Sequence, residues 1–357
     1  MPTPPQHQTT ARDRPRSSGA NDVARSPSVR NAIVAASGLI VVMCLFVTAY
    51  AGAFANPKPH AIPVAVLAPT GLTRTLESTG ALQIDAVPTP SEARRLIEDR
   101  TVYGALIMRR SGSLDLQLAS GAGHSVAAVL TTLATAVADR SHVPLQIEDL
   151  APLSRHDPSG SVEFYVVVFL GIAASLGAMV LGRVLGAVRS LSRLWRRVAF
   201  LAGYTAVLSA AFVAVVDGGF GALVGHTGLL FLVLWVDALA LCLAITGISA
   251  RLGMTAAVAV IVAVVILGNT SSGGPVGRPL LSTLYSSLTP IFPQGAGLTM
   301  LRGVQYFGDR GLGAGILTAV VWGGVGLVLL ISAGFHNGTN GARVRAPEVV
   351  TADAGGS

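Results

Sequence analysis

Apolar residues along the chain gather into long, nearly unbroken runs parted by short polar joints. The runs occupy residues 32–54, 164–185, 198–216, 229–249, 256–267 with flanks, and 312–335. About 20 apolar residues carry a helix across the hydrocarbon of a bilayer. The pattern therefore predicts an α-helical polytopic membrane protein with six transmembrane helices. Residues 56–161 hold no such run, and their shorter periodicities predict an α/β extracytoplasmic domain between the first and second helices.

Within that domain, alternation over 62–68 and 82–87 predicts two strands, with a short helix over 71–78 between them. Thr89-Pro90-Ser91-Glu92 has the form of a capping box with proline at the first helical position. Ala93, Leu96 and Ile97 line one face of the helix that follows. Strands are expected over 102–108 and 114–118, around the turn at Ser111-Gly112. Val126, Leu130, Leu133 and Val137 recur at helical spacing, which predicts a helix over 123–139, and a last strand is expected over 143–147.

Charge sets the expected orientation. Only 12% of the 357 residues are charged and mean hydropathy is +0.62, whereas soluble domains carry about a quarter charged residues. The net charge of +7 comes almost wholly from arginine, with Lys58 the single lysine. These arginines flank apolar runs, so they read as topology signals and not as a nucleic-acid surface. Arg12, Arg14, Arg16, Arg25 and Arg30 precede the first run; Arg189, Arg193, Arg196 and Arg197 follow the second; Arg251, Arg343 and Arg345 mark later joints. The positive-inside rule then makes this a multi-pass cell-membrane protein with both termini cytoplasmic. The expected layout is a disordered tail at 1–30, a first helix at 31–55, the α/β domain at 56–161, a five-helix membrane domain at 162–335 and a tail at 336–357. A cleaved signal peptide is the rival reading of the first run, since Ala53-Phe54-Ala55 has the form of a cleavage site.

One stretch does not fit a simple span. From residue 267 to 307 the chain reads LGNTSSGGPVGRPLLSTLYSSLTPIFPQGAGLTMLRGVQYF. Gly273-Gly274-Pro275, Pro279, Pro290 and Pro293 break any long helix, yet Leu280, Leu281, Leu284, Leu288, Ile291 and Phe292 keep it apolar. Such a segment dips into or lies on the outer edge of the membrane, shielded by protein, and is expected as a re-entrant or external element at 270–307. The order GNTSSGGPVGRP, short helix, proline turn, MLRGVQYF and a last span resembles the end of ABC-2-type permeases, in particular their phage-infection-protein-like branch. The words IPVAVLAPTG and SEARRLIEDRTVYGALIM look like the external domain of that branch. The resemblance implies one span, an external domain and five further spans. It also implies a separate cytoplasmic ATPase as partner and work as a pair, hence a homodimer. The external domain here is shorter than in many relatives.

Few residues offer chemistry. Asp237 lies mid-run in LLFLVLWVDALALCLA, where a carboxylate costs about 3 kcal/mol on insertion scales and must face the bundle interior. It reads as part of a translocation path, or as an acid bonded to Tyr204, Thr205 or Ser209 of the preceding helix. Arg302 either pairs with Asp309, meets an anionic substrate, or snorkels at the rim. Asp237, Tyr204 and Arg302 are the candidate path residues. If 184–197 is one helix, Arg189, Arg193, Arg196 and Arg197 share a face opposite Val184, Val188, Leu191 and Trp195. That gives an interfacial helix or, as the resemblance implies, a coupling helix for the ATPase. Ala173, Gly177 and Gly182, and Gly313, Gly315, Gly323 and Gly324, are candidates for close helix contact. Acids near span ends, Asp217 and Glu163, carry little expectation.

No phosphate-binding loop, nucleophile elbow or paired metal-ligand spacing occurs, so neither cofactor, metal nor enzymatic activity is expected. Cys44 and Cys242 sit in apolar runs and read as core residues. The expected function is the membrane subunit of an exporter of lipids, drugs or cell-envelope components. The alternative is a non-transporting membrane adaptor or receptor whose external domain binds an envelope partner.

Overall fold

A computed structural model describes residues 29–78, 80–186, 190–223 and 225–343. Most of both expected tails, together with Arg189, therefore lies outside the described residues. The described part of residues 1–45 is a helical stretch with Ile33, Val34, Leu39 and Ile40 exposed, while residues 46–357 form a second compact unit.

Among the described residues, five helices are long and apolar enough to cross a membrane: Ile33–Phe54, Val162–Val184, Leu191–Gly219, Thr227–Leu252 and Gly313–Gly334. The expected run at 256–267 forms a shorter apolar helix, Met254–Gly268. At 1.5 Å per residue it is about 22 Å long, short of the roughly 30 Å hydrocarbon layer. These helices are compatible with a multi-pass membrane protein. In chain order they are α1 (Val29–Phe54), α5 (Val162–Val184), α6 (Leu191–Val213, extended by a π-helical turn Ala214–Gly219), α7 (Thr227–Leu252), α8 (Met254–Ala263, extended by a π-helical turn Val264–Gly268) and α11 (Gly313–Arg343). The last helix runs past residue 335, into what was expected to be tail. Between α8 and α11 lie two short helices, α9 (Thr283–Leu288) and α10 (Pro293–Tyr306).

Helix α7 is the axis of the bundle, packed by α5, α6, α8, α10 and α11. Its crossing with α11 is made at Gly247 and Gly326: a Cβ on either would collide with backbone of the other helix. Small residues there let backbones approach without lost side-chain volume. The glycines expected to serve this purpose do so unevenly. Gly177 seats the ring of Tyr204 and Gly323 packs on Ala240, but nothing approaches Gly182, Gly313 or Gly324.

The remaining elements form a layered α/β unit: β1 (Ile62–Leu67), α2 (Thr70–Glu77), β2 (Leu82–Ala86), α3 (Pro90–Glu98), β3 (Gly104–Met108), β4 (Leu114–Leu118), α4 (His124–Ser141) and β5 (Leu145–Asp149). The sheet order is β2-β1-β3-β4-β5, parallel except for the β3–β4 hairpin. Alternation along β1 sends Ile62, Val64 and Val66 to a core shared with Leu76 of α2 and Leu130 of α4, while Ala65 faces Ala93 and Ile97 of α3. Both faces of the sheet are thereby covered, as parallel pairing requires. Thr89 caps α3 by accepting from the Glu92 N–H at 3.2 Å, with Pro90 in the first turn. Half of the expected capping box is replaced: the Glu92 carboxylate pairs with Arg95 instead of reaching back.

This unit is not a separate bead. Its first core continues into Val276, Leu280 and Leu281, and its second into Phe307. Lys58 and His60 donate backbone N–H groups to the carbonyls of Leu280 and Pro279 at 3.3 and 2.9 Å, and Gly277 N–H donates to Ser125 Oγ at 2.9 Å. Of the apolar residues in this segment, Leu280 and Leu281 are thus core residues of the sheet layer, Phe292 packs on the bundle core, and Leu284 and Ile291 are exposed.

Candidate functional site

The centre of the molecule is α10. Proline at its first position has no N–H to leave unsatisfied, so the helix starts cleanly. Twelve of its fourteen residues are buried, which makes it an interior element and not an amphipathic surface helix. At about 21 Å it is too short to cross a bilayer. Gly295, Gly297 and Gly303 let neighbours close in: a Cβ at Gly297 would lie 2.8 Å from Asp237 Oδ2 of α7, and one at Gly303 3.0 Å from Arg100 Nη1. Gln294 reaches towards α5, its Nε2 3.3 Å from a Cβ built on Gly171.

Asp237 is 2% exposed, and its Oδ1 has no hydrogen-bond partner among the described residues. The partners expected on α6 are otherwise engaged or turned away. Tyr204 donates to the Ala173 carbonyl of α5 at 2.7 Å, Thr205 donates to Leu201 O within its own helix at 2.9 Å, and Ser209 Oγ is itself unpartnered. Asp237 instead abuts α10. Buried polar atoms without a partner among the described residues lie on this helix, at Gln294 and Gln305, and against it, at Asp237; Asn269, just past the π-helical turn of α8, holds another. Unpaired buried polar atoms are costly and call for a functional explanation.

Arg302 neither pairs with Asp309 nor lies exposed at a rim. It is 6% exposed and pairs with no acid within 4.0 Å among the described residues. Its guanidinium donates to three backbone carbonyls: Ala122 at 3.3 Å, Gly273 at 3.1 Å and Gly274 at 3.4 Å. Arg100 enters from the other side. It follows the C-terminus of α3 with φ +61°, a left-handed conformation that costs roughly 1–2 kcal/mol without glycine. From there it donates to Thr299 O at 2.8 Å and lies 5.1 Å over the Phe307 ring. Burial, and then the neighbouring Arg302, pushes its pKa down to about 10. Together with Arg278 and Tyr103, the two arginines line a cavity of about 250 Å³ between the sheet layer and α10.

Glu163, near a span end and given little expectation, is fully buried at the start of α5. Its Oε1 accepts from the Tyr306 hydroxyl at 2.5 Å, and its Oε2 has no partner among the described residues. Burial, followed by this carboxylate, raises the Tyr306 pKa. The Tyr306 ring also fills the space left by Gly121 of the sheet layer, where a Cβ would collide with it. No local signal marks Glu163, because its partner lies 143 residues along the chain.

The expected arginine-faced helix over 184–197 does not form. Helix α5 ends at Val184, Gly186 takes φ +66°, and α6 begins at Leu191, capped by Ser190. Arg193 and Arg196 are exposed on the first turns of α6. Arg197 turns inward beside Leu194 and donates to Gly182 O and Gly186 O at 2.8 and 2.6 Å. It thus satisfies carbonyls at the C-terminal end of α5, where a cation is favoured.

The structure does not bring the three candidate path residues together. Asp237 and Arg302 both border α10, but five residues of helix separate Gly297 from Arg302, about 140° around the axis. Tyr204 serves the α5–α6 contact. No model of a known protein family, no curated protein and no solved structure matches the chain. Among the described residues no cluster of potential metal ligands occurs.

Proposed function

We propose that the chain is the permease-like membrane subunit of an ABC-2-type exporter, driven by a separate cytoplasmic ATPase and moving a lipid, drug or cell-envelope component. In this reading α8 with its π-helical extension is the fifth of six spans. The sheet layer stands outside the cell membrane, both termini lie in the cytoplasm, and two copies pair. The observation that carries the reading is α10, a short interior helix that holds the buried amide of Gln294 and abuts buried Asp237 of α7. A purely structural bundle gains nothing from unsatisfied polar groups there, since apolar residues of the same shape would be at least as stable. Arg193 and Arg196, exposed at the joint between α5 and α6, are the residues assigned to ATPase docking; Arg197 is withdrawn from that role because its guanidinium is engaged within the fold.

The test is export from whole cells by Asp237→Asn, alongside affinity purification of the full chain. The expected result is normal assembly, lost export and a co-purifying ATP-hydrolysing subunit that is released by Arg193→Glu with Arg196→Glu. Full export by Asp237→Asn overturns the path assignment. Absence of any ATPase partner overturns the exporter and favours the adaptor reading.

A further inference from the structure

The cavity beneath the sheet layer collects positive charge without matching negative charge. Its floor is Arg302 with buried Ser272, Gly273 and Thr289; exposed Arg278, Asp99 and Gly311 stand at its rim. Among the described residues the only lining acid is Asp99, which is already shared by Arg310 at 3.4 Å and Arg95 at 3.8 Å. The serine and threonine hydroxyls in the wall are spent on backbone carbonyls: Ser272 on Asn269, Thr289 on Ser271, Thr299 on Gly295 and Thr318 on Pro290. The guanidiniums are not spent. Among the described residues Arg302 Nε, and Arg100 Nε and Nη2, donate to nothing, and Arg278 makes one bond, from Nε to Ser286 O at 3.0 Å. Buried arginine is ordinarily paired.

We propose that this cavity is a binding site for a phosphate-bearing anion held by Arg100, Arg278 and Arg302. Guanidinium forks match phosphate and carboxylate oxygens. Three forks from different elements favour phosphate, which presents acceptors on several sides, over carboxylate, which presents two in one plane. Size limits the ligand as well. The cavity of about 250 Å³ is smaller than the roughly 300–1,000 Å³ pockets of drug-sized ligands, so it takes a headgroup or a small ion. The strained backbone of Arg100 fits this role, because glycine there would relieve the strain but supply no charge. Gly303 and Gly311 are the space-makers: a Cβ at either would sit 3.0 Å from Arg100 side-chain atoms. Exposed apolar Ile291, Ile316 and Leu317 lie near the rim residues Pro290 and Ala314, which suits a headgroup arriving with its acyl chains. Arg278, exposed at the rim, equally admits a soluble anion. The site does not depend on the exporter reading, since binding and not movement is at issue.

The test uses the full chain purified in a neutral maltoside detergent, free of phosphate. Inorganic phosphate and dihexanoyl phosphatidylglycerol are titrated separately by calorimetry, with dihexanoyl phosphatidylcholine as control. Saturable binding of at least one of the two anions is expected, weakened about tenfold or more by Arg302→Gln and several-fold by Arg278→Gln. Arg110→Gln, exposed on the hairpin turn away from the cavity, leaves binding unchanged. Preference for phosphatidylglycerol over phosphate assigns a lipid headgroup; the reverse assigns a soluble ion. Because Arg302 also braces three carbonyls, Arg302→Lys and the exposed Arg278→Gln keep the test valid if Arg302→Gln fails to fold. No saturable binding of either anion, or unchanged binding by Arg278→Gln and the folded Arg302 variant, overturns the proposal.

Discussion

Replacing Tyr306 by phenylalanine removes one oxygen atom from the junction of α10, α5 and the sheet layer. The ring is kept, so its packing over Gly121 persists. What is lost is the 2.5 Å hydrogen bond to Glu163 Oε1. Glu163 is fully buried and its other oxygen has no partner among the described residues, so the variant leaves the whole carboxyl group without a donor among them. Hydrogen bonds to charged groups contribute about 1.5–3 kcal/mol, and a stranded buried acceptor keeps its full desolvation cost. Tyr306→Phe is therefore expected to destabilise by about 1.5–3 kcal/mol. At about 2 °C per kcal/mol for a large domain, the melting temperature falls by roughly 3–6 °C. Trp235 and Trp322, whose indoles donate to Ala202 O and Ile291 O, make intrinsic fluorescence in detergent a suitable readout. The decisive arm is a double-mutant cycle. In a Glu163→Leu background, Tyr306→Phe removes a hydroxyl that has nothing to serve, and its cost drops below about 0.5 kcal/mol. An equal cost in both backgrounds refutes the pairing.

Two further perturbations probe the bundle. Gly326→Ala drives a methyl group into the α7 backbone at Ala244; overpacking of about 1–3 kcal/mol outweighs the helix-propensity gain of at most about 1 kcal/mol, so thermal stability falls, whereas Gly324→Ala, open on all sides, raises it slightly. Arg197→Gln uncaps the α5 carbonyls and lowers thermal stability by the equivalent of about 1–2 kcal/mol, while Arg193→Gln, fully outside, changes it by less than about 0.5 kcal/mol.

What could be read from the chain follows the range of the signal. The strands and helices of the sheet layer were legible because alternation, the Thr89 cap and the Ser111-Gly112 turn act within a few residues. The burial of parts of 270–307 was legible from composition, since Leu280 and Leu281 have no place in a solvated loop, whereas Leu284 and Ile291, expected on the same ground, are exposed. Glu163, Arg302 and Arg100 were misread or passed over because burial is set by partners far along the chain: Tyr306 for the first, Ala122 and Gly273 for the second, Thr299 for the third. The arginine helix failed for a local reason: Gly186 adopts a left-handed conformation that ends α5, and the helical wheel drawn through it has no meaning. Gly247 and Gly326 carried a usable signal, small residues at 240, 244 and 247 opposite those at 323 and 326, of which only Gly323 was among the expected contacts.

The most direct test concerns the seating of the sheet layer on the broken segment, which encloses the arginine cavity. Ser125 Oγ lies 3.5 Å from a Cβ built on Gly277, close enough for a disulfide when both positions are changed to cysteine, and Val126→Ala is added because Val126 Cγ2 would collide with that Cβ. In a background of Cys44→Ser and Cys242→Ala, Ser125→Cys with Gly277→Cys is treated with a mild oxidant, denatured and labelled with a maleimide polymer. Loss of both labels on oxidation, restored by reductant, is the predicted result. Two labels retained after oxidation would mean that the layer does not rest on this segment, and the cavity with its arginines would have no roof.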